Sequence, residues 1–368
     1  MRVRVGGASE VTESLLIVDG HEDLSMGVLA DGRDYLSSAH AIRAAEAAAG
    51  FENPNGVCML GLADWLAARV AVIVATVQTI PRALANPGEL SYTTIEGAHQ
   101  QALAHVDLYR RWAAGSPWIE LITERRQLDA VLESWAGDAP DSARRIGLVL
   151  LMENAEPIRT PAETAFWAEQ GIRLIGPAWH ANRYSGDTKD GGLLTPLGRE
   201  LLAEMGRAEL TLDVTHMSER ACLEALEVYE GAVVSSHAHS QRTVAMHRLL
   251  SDRVIEGIVA RGGVVGVLPL NWALSSSWRA SDGKGAVTLA AVADAIDAVC
   301  QIAGDAFHVG LGTDFDGGQG AEAAPAELDT IADMPKLASA LEARGFADPD
   351  IAAVMGGNWI SFLHRRLP

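Results

Sequence analysis

Eight short runs of apolar residues recur along the chain, and segments with a helical spacing of apolar residues lie between most of them. Strands that alternate with helices form parallel βα units. The runs cover residues 14–20, 69–77, 145–153, 172–179, 210–216, 232–238, 263–270 and 307–316. The pattern predicts an α/β protein built as a (β/α)8 barrel of the TIM type.

The segments between the runs contain signals for helix starts. Thr195 precedes a proline, Ser218 precedes a segment with apolar residues on one side, and a helix after Ser251 is expected to end at Gly262. Further helices are predicted within residues 95–113, 122–136, 160–171 and 288–304, whereas residues 269–287 are predicted to form a long loop that could act as a lid or a subunit contact. No change of composition marks a boundary, so residues 1–368 are predicted to form a single barrel domain.

Composition and charge exclude some classes of partner. The 368 residues are 48% apolar and 21% charged, which is a globular composition. The chain has 29 Lys and Arg against 48 Asp and Glu, and the net charge of −19 opposes binding to nucleic acid or to an anionic membrane surface.

The cysteines and the apolar segments indicate a location. Cys58, Cys222 and Cys300 are odd in number and far apart, so we expect free thiols in a reducing compartment. Residues 1–14 lack an apolar signal region, and residues 68–77 are too few to span a bilayer. These features predict a cytoplasmic protein without a membrane partner.

Candidate polar side chains lie at the ends of five of the eight runs. In a barrel of this kind the chemistry lies where the carboxyl ends of the strands converge. The residues at these ends are His21 and Asp23, Glu153, His216, His237, and Asp314 with Asp316. Each residue alone could be an ordinary loop residue, but together they predict a site at one rim.

The residue types at this rim suit a metal. Imidazoles and carboxylates form a set of nitrogen and oxygen ligands for Zn²⁺ or a similar ion, and a carboxylate such as Glu153 can bridge two ions. His21 and Asp23 are two residues apart on an extended segment, so they point the same way, whereas Glu22 faces away. His216 and His237 would hold the second ion. The predicted cofactors are therefore two divalent ions, with Zn²⁺ favoured.

The chain also resembles the membrane dipeptidase (renal dipeptidase) family of metallopeptidases, within the amidohydrolase superfamily. The resemblance rests on DGHED (19–23), the Glu of LMENAE (151–156), DVTHMS (213–218), SSHAHS (235–240), the Arg of HRLLSD (247–252), HVGLGTDFDG (308–317) and GGNWISFL (356–363). It implies that His21 and Asp23 bind one metal, that Glu153 bridges, and that His216 and His237 bind the other. It further implies that Arg248 binds the terminal carboxylate of the substrate and that Asp314 is the acid-base residue.

The sequence departs from the family after the fourth run. Many members have a His there, in a TLTHN-like segment, that stabilises the developing oxyanion, but this chain reads GPAWHANRY. The family's His falls on Trp179, and His180 follows one place later. Trp179 and His180 are therefore the candidate substrate-binding residues on this strand, and His180 is a candidate for the catalytic role.

The resemblance implies an enzyme that hydrolyses small dipeptides with a hydroxide bridging two metal ions. Two alternatives stay open at this point: the same metal site could act on N-acyl amino acids, lactones or other non-peptide substrates, or the barrel could bind without catalysis. Family members are often dimers, so the resemblance is also consistent with a homodimer.

Overall fold

A computed structural model describes residues 15–51, 55–85, 90–137 and 140–368. Its one sheet contains nine strands, and every pair between them is parallel. The strands are Ile17–Glu22 (β1), Val70–Val77 (β2), Ile119–Leu121 (β3), Ile146–Met152 (β4), Ile172–Ile175 (β5), Thr211–Asp213 (β6), Val233–Val234 (β7), Val265–Val267 (β8) and Val309–Leu311 (β9).

Eight of these strands form the predicted barrel. Their order is β7-β6-β5-β4-β2-β1-β9-β8, and a parallel bridge between Ser235 and Val265 joins the two ends of the series. The extra strand β3 pairs only with the first half of β4, outside the ring. β1, β2 and β4 are buried along their whole length, as expected for strands covered by helices on the outer face.

Helices surround the barrel. They are Leu24–Asp31 (α1), Ala39–Ala49 (α2), Leu62–Ala68 (α3), Ile95–Gly115 (α4), Arg125–Ser134 (α5), Thr164–Glu169 (α6), Pro196–Arg207 (α7), Glu219–Val228 (α8), Asp252–Val259 (α9), Asn271–Leu274 (α10), Leu289–Ala303 (α11), Lys336–Arg344 (α12), Asp348–Ala352 (α13) and Asn358–Arg366 (α14). The hydroxyl groups of Thr195 and Ser218 accept backbone bonds of 3.0 Å at the starts of α7 and α8, as the sequence predicts. Within the described ranges, no helix has the length and apolar character needed to cross a membrane.

Several predicted boundaries are wrong. α9 ends at Val259 rather than at Gly262, because the amide of Gly263 bonds back to the carbonyl of Ile258 and Gly262 turns the chain with a φ of 64°. Strands β5 to β9 are shorter than the apolar runs that predicted them. The residues at the end of each run lie outside these strands, in the loops at the rim of the barrel. The predicted loop 269–287 begins with the short helix α10. Ser14, the first residue of the first predicted run, lies outside the described residues, as do residues 1–13.

Glycines allow three strand ends to approach each other below the rim. A Cβ atom on Gly266 or on Gly312 would lie 1.8 Å from the carbonyl oxygen of Ser236. A Cβ atom on Gly20 would lie 2.9 Å from the same oxygen and 2.6 Å from the ring of Trp359. Only glycine fits at these positions. The close approach places His21, which follows Gly20, beside the residues that follow β7.

Candidate metal centre

The structure brings the five predicted metal ligands together at the carboxyl ends of the strands. His21 is the second-last residue of β1, Asp23 and Glu153 directly follow β1 and β4, and His216 and His237 lie three residues after β6 and β7. One carboxylate oxygen of Glu153, Oε1, is 3.5 Å from Nε2 of His21, 3.1 Å from Nε2 of His216 and 3.5 Å from Nε2 of His237. Glu153 therefore lies at the centre of the cluster.

Three overlapping groups of residues have ligand atoms within 4.8 Å of one another. Glu153 belongs to two of them, and the groups are His21, Asp23 and Glu153; Glu153, His216 and His237; and His21, His237 and Asp314. Nε2 of His21 and Oε2 of Glu153 are buried without a hydrogen-bond partner. Buried polar atoms are normally paired, so these atoms fit a site for divalent cations. The role of each residue as a ligand stays a prediction.

Neighbouring side chains orient the two residues from β1. Thr76 of β2 donates a hydrogen bond to Oδ1 of Asp23, while Oδ2 of Asp23 lies 3.7 Å from Nε2 of His21. Glu22 points away from the cluster, and its Oε2 accepts a 3.1 Å hydrogen bond from the indole of Trp65. The alternation along β1 therefore separates His21 and Asp23 from Glu22.

Ser236 and Asp213 support two of the histidines, and sequence reasoning did not assign them a role. The Ser236 hydroxyl donates to Oδ2 of Asp213 at 2.5 Å and lies 2.8 Å from Nδ1 of His237 and 3.2 Å from Nδ1 of His21. Because its proton is directed to Asp213, the hydroxyl accepts from both rings. Each ring then carries a proton on Nδ1 and directs Nε2 toward the cluster. Both residues lie inside DVTHMS and SSHAHS, but their contact crosses from one strand end to another.

Burial shapes the acid groups of the site in the absence of metal. Burial raises the pKa of Glu153 well above its usual value, against the effect of His21. Burial also raises the pKa of Asp314 to about 7, partly opposed by His21 and reinforced by Asp23. These upward shifts mean that a cation competes with protons for both carboxyl groups.

The three imidazoles differ in charge. Burial opposes the charged form of His21, but the carboxylates of Glu153, Asp23 and Asp314 outweigh it and raise the pKa of His21 to about 10. Burial lowers the pKa of His216 and of His237 well below the usual value, and the charges of Arg248 and His21 lower both further. His216 and His237 are therefore neutral at pH 7, which is the form that binds metal.

A pocket of about 350 Å³ opens above the cluster, and the other predicted site residues line it. Nη2 of Arg248 is 3.3 Å from Nε2 of His216, and Nη1 of Arg248 is buried without a hydrogen-bond partner. Oδ1 of Asp314 is 3.7 Å from Nε2 of His21. The pocket therefore contains the guanidinium of Arg248 on one side of the cluster and the carboxyl group of Asp314 beside His21.

Trp179 and His180 both line this pocket. The Trp179 ring is 6.4 Å from the His216 ring, and Nδ1 of His180 is buried without a hydrogen-bond partner. Burial lowers the pKa of His180, with a smaller contribution from Lys189, so its imidazole is neutral at pH 7. The shift of one position relative to the family pattern therefore leaves a His within the pocket.

The model of the family described as "Membrane dipeptidase (Peptidase family M19)" matches residues 6–365. The chain belongs to the membrane dipeptidase family. This confirms the predicted family and the predicted type of enzyme, a metallodipeptidase. It also agrees with a cluster of candidate metal ligands at the rim of the barrel.

Several proteins are similar to this family member. The "Uncharacterized protein in pqqA 5′region" of Klebsiella pneumoniae is 30% identical over 210 residues, which are 54% of this chain and 73% of that protein. Mouse "Dipeptidase 3" is 25% identical over 269 residues, which are 70% of this chain but only 50% of the mouse protein. A metallo peptidase from Rhodobacter sphaeroides, solved with a phosphinate mimic of the dipeptide L-Ala-D-Ala, has a TM-score of 0.71 at 22% identity and covers 96% of this chain and 100% of its own. At that identity the structural likeness shows the fold alone.

Proposed function

We propose that this protein is a metal-dependent dipeptidase that hydrolyses the peptide bond of small dipeptides. The observation that carries the proposal is the position of Arg248, whose guanidinium lies 3.3 Å from Nε2 of His216, at the edge of the metal cluster. Arg binds carboxylates through two parallel hydrogen bonds. A substrate whose carboxylate is held so close to the reacting bond has to be short at its carboxyl end, as a dipeptide is.

In this proposal His21 and Asp23 would hold one ion, His216 and His237 would hold a second, and Glu153 would contribute to both, with Zn²⁺ as the ion that the ligand set favours. Two bound ions would supply an activated water and polarise the carbonyl of the substrate. Asp314, beside His21, accepts the proton of the attacking water and passes it to the leaving amine. His180 donates a hydrogen bond to the carbonyl oxygen, and Trp179 packs against the substrate.

The size of the pocket supports a small substrate. Its volume of about 350 Å³ lies at the lower end of the range for small-molecule sites. The related Rhodobacter protein was solved with a mimic of a dipeptide. We infer that this chain accepts substrates of the same size.

The same proposal includes a single barrel domain in a reducing cytoplasmic compartment. The three cysteines Cys58, Cys222 and Cys300 are free and buried, as expected where disulfides do not form. The predicted homodimer stays a prediction. Gel filtration with light scattering would give the number of chains in the particle.

The test is hydrolysis of a panel of substrates by the purified protein, before and after chelation and after addition of Zn²⁺. The panel contains dipeptides with an L or a D residue at the carboxyl end, N-acyl amino acids and lactones. We expect the dipeptides to be hydrolysed, chelation to abolish the activity and Zn²⁺ to restore it, with about two ions per chain by elemental analysis.

Other results would point to the alternatives. Turnover of N-acyl amino acids or lactones without turnover of dipeptides would replace the dipeptidase by another amidohydrolase with the same metal site. Less than one ion per chain and no turnover of any substrate would favour a barrel that binds without catalysis. Full activity in metal-free protein would contradict the mechanism.

A further inference from the structure

Lys189 is a second cation at the substrate pocket, besides Arg248. The chain contains only three lysines. Lys284 bonds to the carbonyl of Leu328, and Lys336 pairs with Asp333 at 2.7 Å. Lys189, in contrast, forms no ion pair within the described part of the chain. An unpaired cation is unusual at the pocket of a protein whose net charge is −19.

The acidic residues next to Lys189 in the sequence are engaged by backbone amides. Asp187 accepts hydrogen bonds from the amides of Ala181, Lys189 and Asp190 at 2.8–3.0 Å. Oδ1 of Asp190 accepts from the amides of Asp187 and Gly192 at 2.9 and 2.8 Å. These bonds fold residues 187–192 into a compact turn, in which Lys189 is an exposed residue.

The turn is fixed to the metal cluster through the backbone of His216. The amide of Thr188 donates to the carbonyl of His216 at 3.0 Å, and Asp187 forms an antiparallel bridge with Met217. The backbone beside Lys189 is therefore held against His216, and the guanidinium of Arg248 contacts the ring of the same residue.

We propose that Lys189 selects substrates with an acidic side chain on the carboxyl-terminal residue. Arg248 takes the main-chain carboxylate of that residue, and the ammonium group of Lys189 pairs with its side-chain carboxylate. The preferred substrates would then be dipeptides that end in Asp or Glu. This inference rests on the proposed dipeptidase function and names the substrate class of that site.

The test compares Ala-Glu with Ala-Gln, which have the same shape and differ in charge, in both configurations of the carboxyl-terminal residue. The readout is the ratio of the two kcat/KM values for each enzyme variant. An exposed ion pair is worth up to about 1 kcal/mol, so we expect the wild type to prefer Ala-Glu by about 5-fold. Lys189→Gln should bring the ratio to about one, and Lys189→Glu should bring it below one.

Lys336→Gln is the matched control, because it removes a lysine charge far in sequence from the pocket residues and leaves Lys189 in place; it should keep the wild-type ratio. The preference of the wild type should also decline as the salt concentration rises, since the pair is exposed. Elemental analysis of the Lys189 variants should show the metal content of the wild type.

Three outcomes would overturn the inference. If Ala-Gln is hydrolysed as well as Ala-Glu by the wild type, or if Lys189→Gln keeps the preference, the dipeptidase function stands and the role of Lys189 is wrong. If the wild type instead prefers Glu-Ala to Gln-Ala, the acidic side chain is recognised on the amino-terminal residue of the dipeptide, and the inference is wrong. If no dipeptide is hydrolysed, the proposed function fails and this inference fails with it.

Discussion

The Ser236 hydroxyl decides, at the scale of one residue, how two of the histidines face the metal cluster. It lies 2.8 Å from Nδ1 of His237 and 3.2 Å from Nδ1 of His21. Removing the hydrogen-bond partner of a metal-binding His typically lowers metal affinity by about 10- to 100-fold. Ser236→Ala should therefore weaken Zn²⁺ binding about 10-fold, measured by competition with a chelator of known affinity.

Ser235→Ala is the control for this prediction. The Ser235 hydroxyl contacts the Thr215 hydroxyl at 3.0 Å and the carbonyl of Ala238 at 3.2 Å, so the substitution removes the same group without touching an imidazole. Equal losses of affinity in the two variants would mean that packing of these strand ends, rather than orientation of the rings, explains the effect.

A second prediction at this scale concerns Trp179 and His180, which both line the pocket. If His180 stabilises the developing charge on the carbonyl oxygen, His180→Ala should lower kcat by about 100-fold with little change in KM. Trp179→Phe keeps an aromatic ring and should mainly change KM. Steady-state kinetics of the two variants separate these effects. A large loss of kcat in Trp179→Phe alone would transfer the role to the indole N–H.

At the scale of elements, the loop after β9 carries Asp314 in a conformation that non-glycine residues rarely adopt. Asp314 and Asp316 have φ values of 57° and 63°. Asp316 does not face the metal cluster. Its carboxylate is 2.9 Å from Nη1 of Arg33 and accepts hydrogen bonds from the hydroxyl of Tyr35 at 3.0 Å and the amide of Met59 at 2.8 Å. Segments that follow α1 and precede α3 therefore hold the loop in place.

Asp316→Asn should accordingly affect both stability and catalysis. The substitution keeps the shape but removes one of the two carboxylates that pair with the buried Arg33, while Glu46 stays 2.8 Å from its Nε. Loss of a hydrogen bond to a charged group costs about 2 kcal/mol, so we expect a loss of about that size in the free energy of unfolding, measured in urea, and a lower kcat because Asp314 is displaced. Asp329→Asn is the control, since Asp329 pairs with Arg43 and His40 while half exposed, and an exposed pair costs at most about 1 kcal/mol. An unchanged kcat in Asp316→Asn would show that the loop holds Asp314 without this contact.

The same scale shows what local sequence patterns can predict. The strands β2 and β4 and the helix starts at Thr195 and Ser218 follow directly from apolar runs and capping residues. β3 was not predicted, because its three residues lie in a segment dominated by helical patterns and their only ladder is with β4. β7 has only two residues although its apolar run is long, since the polar residues after it bend toward the cluster. Ladder partners and bends of this kind depend on the tertiary structure.

At the scale of the whole molecule, the five metal-site candidates could be predicted because a barrel brings the ends of its strands to one rim. The periodic pattern gave the barrel, and the barrel gave the proximity of residues as distant as His21 and His237, whose rings are 3.6 Å apart. The contacts of Ser236, Asp316 and Lys189 were not predicted, because each depends on which side of a turn a side chain faces. A residue pattern therefore predicts which strands and helices come together, but it does not predict which individual atoms make contact.

Metal binding should also stabilise the entire fold, because the ligands come from strands all around the barrel. A ligand present at 1,000 times its dissociation constant stabilises the native state by about 4 kcal/mol, and for a chain of 368 residues each ion bound at this level raises Tm by about 5 °C. Chelation should lower Tm by that amount for each ion removed. His105→Gln is a useful comparison, because His105 is buried and bonds to Ser25 at 2.6 Å without being a predicted ligand, so its Tm should still fall on chelation.

The size of this shift should depend on pH in a defined direction. In the metal-free chain the carboxylates of Glu153, Asp23 and Asp314 raise the pKa of His21 to about 10, so Nε2 of His21 holds a proton at pH 7. A cation must displace this proton, which makes binding about tenfold weaker per unit decrease in pH. At a fixed concentration of free Zn²⁺, the increase in Tm on metal addition should therefore be larger at pH 8 than at pH 6, as measured by calorimetry. An equal increase at both pH values would mean that the ions bind without displacing protons, and the proposed ligand set would then be wrong.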